Sequence, residues 1–109
     1  MTFKAKTLAT GQITTGVADL YHVPSTKRAI VKSVHCYNTG STTETVKVYI
    51  KKYAATATQI GIAVLNQDEL KVFVSDGEAL SLAKEDAIQG ITTTGTTVDF
   101  TITGAEEDV

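Results

Sequence analysis

The feature that most constrains this chain is a two-residue apolar period that recurs in short runs, each bounded by residues that favour turns. In "ETVKVYIKK", Val46, Val48 and Ile50 share one side and Lys47, Tyr49 and Lys51 the other. In "DELKVFVS", Leu70, Val72 and Val74 oppose Glu69, Lys71 and Phe73; in "TTVDFTITG", Val98, Phe100 and Ile102 alternate with Thr97, Asp99 and Thr101. Successive side chains of a strand point to opposite faces, so each run predicts a strand with one buried face. Threonine is the commonest residue and proline occurs once, which suits a pleated surface. Helical periodicity is weak: "ALSLAKEDAI" has room for one turn around Leu82–Asp86, but Leu80 and Leu82 fit a strand equally well.

Turn residues separate the runs. Asn38-Thr39-Gly40, Asp76-Gly77 and Gly95 each fall between strand patterns, and Pro24 follows "ADLYHV" where no ladder donor is needed. Eight strands result, at about 3–10, 18–23, 28–37, 44–53, 60–65, 69–75, 78–82 continued by 87–93, and 96–103. A sheet that buries one face needs a covering layer, so an all-β fold is expected: an antiparallel β-sandwich, jelly-roll-like, of about eight strands. The 109 residues make one domain, 1–109, with 105–109 as a solvated acidic tail. Residues 1–16, polar and bracketed by Gly11 and Gly16, are either an extended arm or the first strand.

Charge and motifs exclude several functions. A net charge of −2, with basic residues dispersed among acids, gives no phosphate-binding stripe, so nucleic acid is not an expected partner. No stretch of eighteen apolar residues or signal-peptide core occurs, so neither a membrane partner nor secretion is expected. Folding in a reducing cytoplasm fits a single cysteine, which has no internal disulfide partner. No glycine-rich phosphate loop, nucleophile elbow or EF-hand spacing is present, and Asp19, Asp76 and Asp86 stand isolated in turn-like surroundings. The expectation is a protein that is not an enzyme, with no cofactor, no metal and no small-molecule substrate.

One stretch looks like chemistry: "RAIVKSVHCY" sets His35 beside Cys36. Adjacent strand residues diverge, so an imidazole–thiol pair needs a bulge there; without one, Cys36 is a small buried hydrophobe. His22 and His35 alone are a thin metal-ligand set. On strict alternation Ile30, Lys32, Val34 and Cys36 share one face and Ala29, Val31, Ser33, His35 and Tyr37 the other. Both faces are partly apolar, so this strand is expected to be central, with Val31, His35 and Tyr37 as candidates for a contact between subunits.

"LATGQITTGVADLYHVPSTKRAIVKSVHCYNTGSTTETVKVYI" resembles a pattern in small structural proteins of tailed bacteriophages, "lyxVPxgkxaivksi", followed by an asparagine-threonine-glycine turn and a valine-alternating strand. "DGEALSLAKEDAIQGITTTGTTVDFTITGAEE" resembles its continuation, with Leu80, Leu82, Asp86 and Ile88 at an "l-l-x-x-x-D-x-I" segment and Gly104 and Glu106 closing the last strand. Ser25-Thr26 and Lys84-Glu85 depart from it, in turns. The resemblance implies a virion protein: a head decoration or cement protein that stabilises the capsid as a small homo-oligomer such as a trimer, with the major capsid protein or another virion protein as partner. The alternatives are a tail, neck or fibre component and, from another class, a carbohydrate-binding sandwich, which lacks a tryptophan platform. Phe3, Leu8 and Ile13, the spaced apolar residues of the N-terminal segment, are the candidates for contacting the capsid.

Overall fold

A computed structural model describes residues 6–74 and 80–108, which form nine strands. These are β1 (Lys6–Gln12), β2 (Ala18–His22), β3 (Lys27–Asn38), β4 (Glu44–Lys51), β5 (Thr58–Leu65), β6 (Leu70–Val74), β7 (Leu80–Leu82), β8 (Ala87–Thr92) and β9 (Val98–Asp108). One sheet has the order β1-β9-β3-β6, with β7 also on β3; the other has the order β2-β8-β4-β5. All pairings are antiparallel. β9 lines the whole of β3 on one side, so β6, opposite Val34–Tyr37, and β7, opposite Ala29–Val31, share the other side as two pieces of one edge. Each of the first three connections crosses from one sheet to the other, the winding of a jelly roll.

The core lies between the sheets. Val31, Val34, Cys36, Val98 and Ile102 from one sheet meet Val46, Val48 and Ile88 from the other, all with no exposed surface. Each buried side chain of this size contributes roughly 1.5–3 kcal/mol, and several such layers are what hold two sheets together.

Four elements depart from the sequence reading. The long β3 does not keep one period: its register against β9 shifts between Val31 and Ser33, so the buried set runs Ala29, Val31, then Val34, Cys36, Asn38. Lys32 is the extra residue, and beyond it the two faces exchange. Gly104, the partner of Val31, makes the close approach possible, since a Cβ there would stand 2.0 Å from the Ile30 carbonyl oxygen. Val31 is therefore core, and its candidacy for a subunit contact is corrected.

In β6 the register slips between Val74 and Val72, so Phe73 packs toward the core and Leu70 and Val72 point outward, not inward as alternation predicts. The expected single strand over 78–82 and 87–93 is two strands in different sheets, since Ala83–Asp86 turns the chain across the sandwich with Glu85 at φ 69°.

The segment expected to be a solvated tail is the end of β9. Residues 105–108 continue the ladder, with Ala105 opposite Ile30, Glu106 opposite Ala29, Glu107 opposite Arg28 and Asp108 opposite Lys27. Those acids find the basic start of β3, so pairing extends where composition predicted solvent. β1 is likewise a ladder strand, antiparallel to β9 from Lys6 to Gln12, and Ile13 just beyond it is fully buried. From residue 6 onward the N-terminal segment is thus the sandwich's edge strand. Phe3, the Asp76-Gly77 turn and residues 78–79 lie outside the described residues.

Candidate functional site

The His35–Cys36 pair comes apart as alternation requires. Cys36 has no exposed surface, and burial pushes its thiol up to about 12. His35 is on the outer face of the sheet between Val72 of β6 and Thr101 of β9. His22 belongs to the opposite sheet. Among the described residues no three of His, Cys, Asp and Glu gather as metal ligands.

The structure does assemble buried polar groups, at both ends of the sandwich, and they act as clamps. Asn38, fully buried, donates its amide to the carbonyls of Thr42 and Leu65, both at 2.9 Å, and accepts from the Gly40 N–H and the Thr97 hydroxyl. The asparagine-threonine-glycine turn is thereby a junction between β3, the β3–β4 turn, the end of β5 and the segment before β9. Beside it Glu44, 1% exposed, accepts from the Thr94 N–H at 2.9 Å and the Thr94 hydroxyl at 2.7 Å. Burial raises its pKa, but hydrogen bonds from Thr94, Thr93 and Gly95 outweigh that, and the net direction is down.

At the other end Asp86, 2% exposed, accepts from the backbone N–H groups of Tyr53 and Ala83, each at 2.9 Å, and from the Lys52 ammonium at 3.1 Å. Burial again opposes ionisation and these donors overcome it, so its pKa falls. The backbone of Asp86 accepts from the Val23 N–H, so one residue ties β2, the β4–β5 turn and the β7–β8 turn. Glu106 completes the set: it accepts the Tyr21 hydroxyl at 2.5 Å and pairs with Lys6 at 2.8 Å. Arg28 pairs with the nearly buried Glu107. Of these carboxylates the sequence singled out Asp86 and Glu106 as motif positions without assigning their burial; Glu44 and Glu107 carried no signal.

Two outward surfaces remain. On β5, Ile60, Ile62 and Val64 are 36%, 54% and 61% exposed on one face of an edge strand that has no charged residue from Thr58 to Leu65. On the other sheet Leu70 (56% exposed) and Val72 stand beside Tyr37 and His35, their register partners. Of the sequence's candidates, His35 and Tyr37 thus share an outward apolar patch, whereas Leu8 packs partly buried against the core and Ile13 lies within it. The surface also holds two open clefts. One, about 630 Å³, is bordered by Arg28, Lys52 and Lys84; the other, about 420 Å³, lies over Ala87 on the outer face of the β2-β8-β4-β5 sheet.

No protein-family model and no curated protein matches this chain. Among solved structures, a chain of the Bacillus endospore appendages, described as a novel family of disulfide-linked pili, is 12% identical with a TM-score of 0.56, over 99% of this chain and 89% of that one. This likeness shows the β-sandwich fold and no more. Two others superpose too loosely to carry an argument. A chain of infectious bursal disease virus, Gx strain, is 13% identical with a TM-score of 0.42, over 99% of this chain and 36% of that one. The endo-1,4-beta-D-xylanase 10B of Clostridium thermocellum is 16% identical with a TM-score of 0.38, over 83% and 18%.

Proposed function

We propose that this chain is a non-enzymatic structural subunit of a virion: a head decoration protein of a tailed bacteriophage that forms a small symmetric oligomer and binds the major capsid protein. The observation that carries the reading is the uncharged, apolar edge strand β5. Soluble monomers blunt such edges with charge, proline or a covering element, because unpaired backbone beside apolar side chains templates association. Here Ile60, Ile62 and Val64 stand exposed with neither charge nor proline among them. Function lives in surfaces and sites, so the jelly roll alone would not distinguish this role from others. The buried polar groups point the same way: Asn38, Glu44, Asp86 and Glu106 spend their hydrogen bonds on the protein's own turns and strands. They rigidify a subunit.

A tail or neck position for the same subunit is the second reading, since an edge contact that does not close yields a filament and not a ring. Disulfide linkage, the feature in the description of the appendage chain, is not available to the folded subunit, whose one cysteine is enclosed. Light scattering on the purified protein, with its copy number in purified particles, tests the proposal. A closed oligomer at micromolar concentration, present in excess over tail components, is expected. A stable monomer removes the oligomer, and a copy number equal to that of tail components moves the subunit to the tail.

A further inference from the structure

We infer that the cleft over Ala87 is a binding site for a neutral saccharide. The register builds it. Ala87 of β8 has Lys51 of β4 on one side and His22 of β2 on the other, and one row along, Gln89 has Tyr49 on one side and Asp19 on the other. A methyl group between two long side chains leaves a trough, and the resulting hollow of about 420 Å³ has room for one or two sugar rings.

Asp19 and Gln89 are already oriented by each other, the amide donating to Asp19 Oδ1 at 2.8 Å. At the upper rim stand Glu85 and Tyr53. Tyr53 is 68% exposed, the most exposed of the large apolar side chains, and its position is not left to chance. Its backbone N–H is held by the buried Asp86 carboxylate, the next residue, Ala54, sits at φ 58°, and Glu85 across the rim sits at φ 69°. Left-handed backbone at a non-glycine residue costs free energy, and of the three such residues among those described, Ala54 and Glu85 border this cleft while Asp68 lies in the β5–β6 turn.

The groups select the ligand class. Two carboxylates, an ammonium, an imidazole and an amide converge with mixed sign, which suits neither a phosphate nor a bare cation. A ligand rich in hydroxyls fits, because each hydroxyl donates to a carboxylate while accepting from an ammonium or amide. The remaining requirement is a flat surface for the C–H face of a sugar ring, and the exposed Tyr53 ring supplies it.

The test is a titration of the intact protein with maltohexaose, cellohexaose and chitohexaose, followed by amide NMR shifts. At least one sugar is expected to move the Tyr53, Ala87 and Gln89 amides with a Kd on the order of 1 mM or tighter. Tyr53→Ala keeps the backbone N–H that Asp86 holds, so the fold persists; it and Asp19→Ala are each expected to weaken binding about tenfold or more, and Tyr53→Phe to retain it. No shift with any of the three at about 10 mM overturns the site, as does binding that both alanine variants leave unchanged, or shifts at these amides with inorganic phosphate alone. The readout is independent of oligomeric state, so this site and the virion role fail separately.

Discussion

The carboxylate of Asp86 accepts the backbone N–H of Tyr53 at 2.9 Å across 33 residues of sequence, and it does so with only 2% of the residue exposed. Two turns at one end of the sandwich therefore depend on a single side chain. Asp86→Ala leaves the Tyr53 and Ala83 N–H groups without their acceptor, and a loss of about 2–4 kcal/mol is expected in urea unfolding. Asp86→Asn keeps one acceptor oxygen and is expected to lose about half as much. A neutral result for Asp86→Ala contradicts the clamp.

Acid should weaken the fold in a defined window. Glu44, Asp86 and Glu106 all have folded-state pKa values below their ordinary 4.5, 3.8 and 4.5. The unfolded chain therefore binds protons first as pH falls. Their stabilisation is fully present above about pH 5, begins to fade near the unfolded values, and is gone below the folded ones. Unfolding free energy measured from pH 7 to pH 3 should stay level and then drop below about pH 4.5, less steeply in Asp86→Asn.

Cys36 should behave as a hydrophobe. With its thiol enclosed and its pKa at about 12, it is expected to resist a thiol reagent at pH 8 until the protein unfolds. Cys36→Ser is expected to cost about 1–3 kcal/mol, from burying a hydroxyl, and to leave assembly intact. Rapid labelling of the native protein would contradict the burial.

Core and contact residues on neighbouring strands should separate cleanly. Val31→Asp puts a charge where no surface is exposed and is expected to prevent folding. Ile62→Asp and Tyr37→Asp, on outward faces, are expected to change monomer stability by about 0.5 kcal/mol or less and shift the protein toward monomer in light scattering. Unfolding by Ile62→Asp would show that β5 is not a free surface.

Gly104→Ala tests the bulge. The added methyl would meet the Ile30 carbonyl oxygen at 2.0 Å, backbone against backbone with nothing flexible to yield. A cost of about 3 kcal/mol or more is expected in thermal unfolding, against a small effect at Gly16, where an added Cβ meets nothing within 4 Å.

Local chemistry alone specified much of this protein. Alternation in residues 44–50 and 98–102, the turn residues at Asn38–Gly40 and Gly95, and the scarcity of helical period led to an antiparallel sandwich, and nearly every strand lies where the pattern put it. The divergence of His35 and Cys36 followed from the strand's own geometry, since the extra residue of β3, Lys32, falls before both of them. What alternation does not carry is the partner. Whether Val31 or Lys32 faces inward depends on where β9 slips against β3, and Leu70 and Val72 turn outward because β6 slips against the same strand. A one-residue slip reverses every face beyond it. The acids behave likewise: Glu107 is buried because Arg28, 79 residues away, lies opposite it, and Asp86 is buried because Tyr53 and Lys52 bring donors to it. Side-chain direction is a local property and was legible; charge burial and register are properties of two strands at once, so only their pairing in three dimensions decided them.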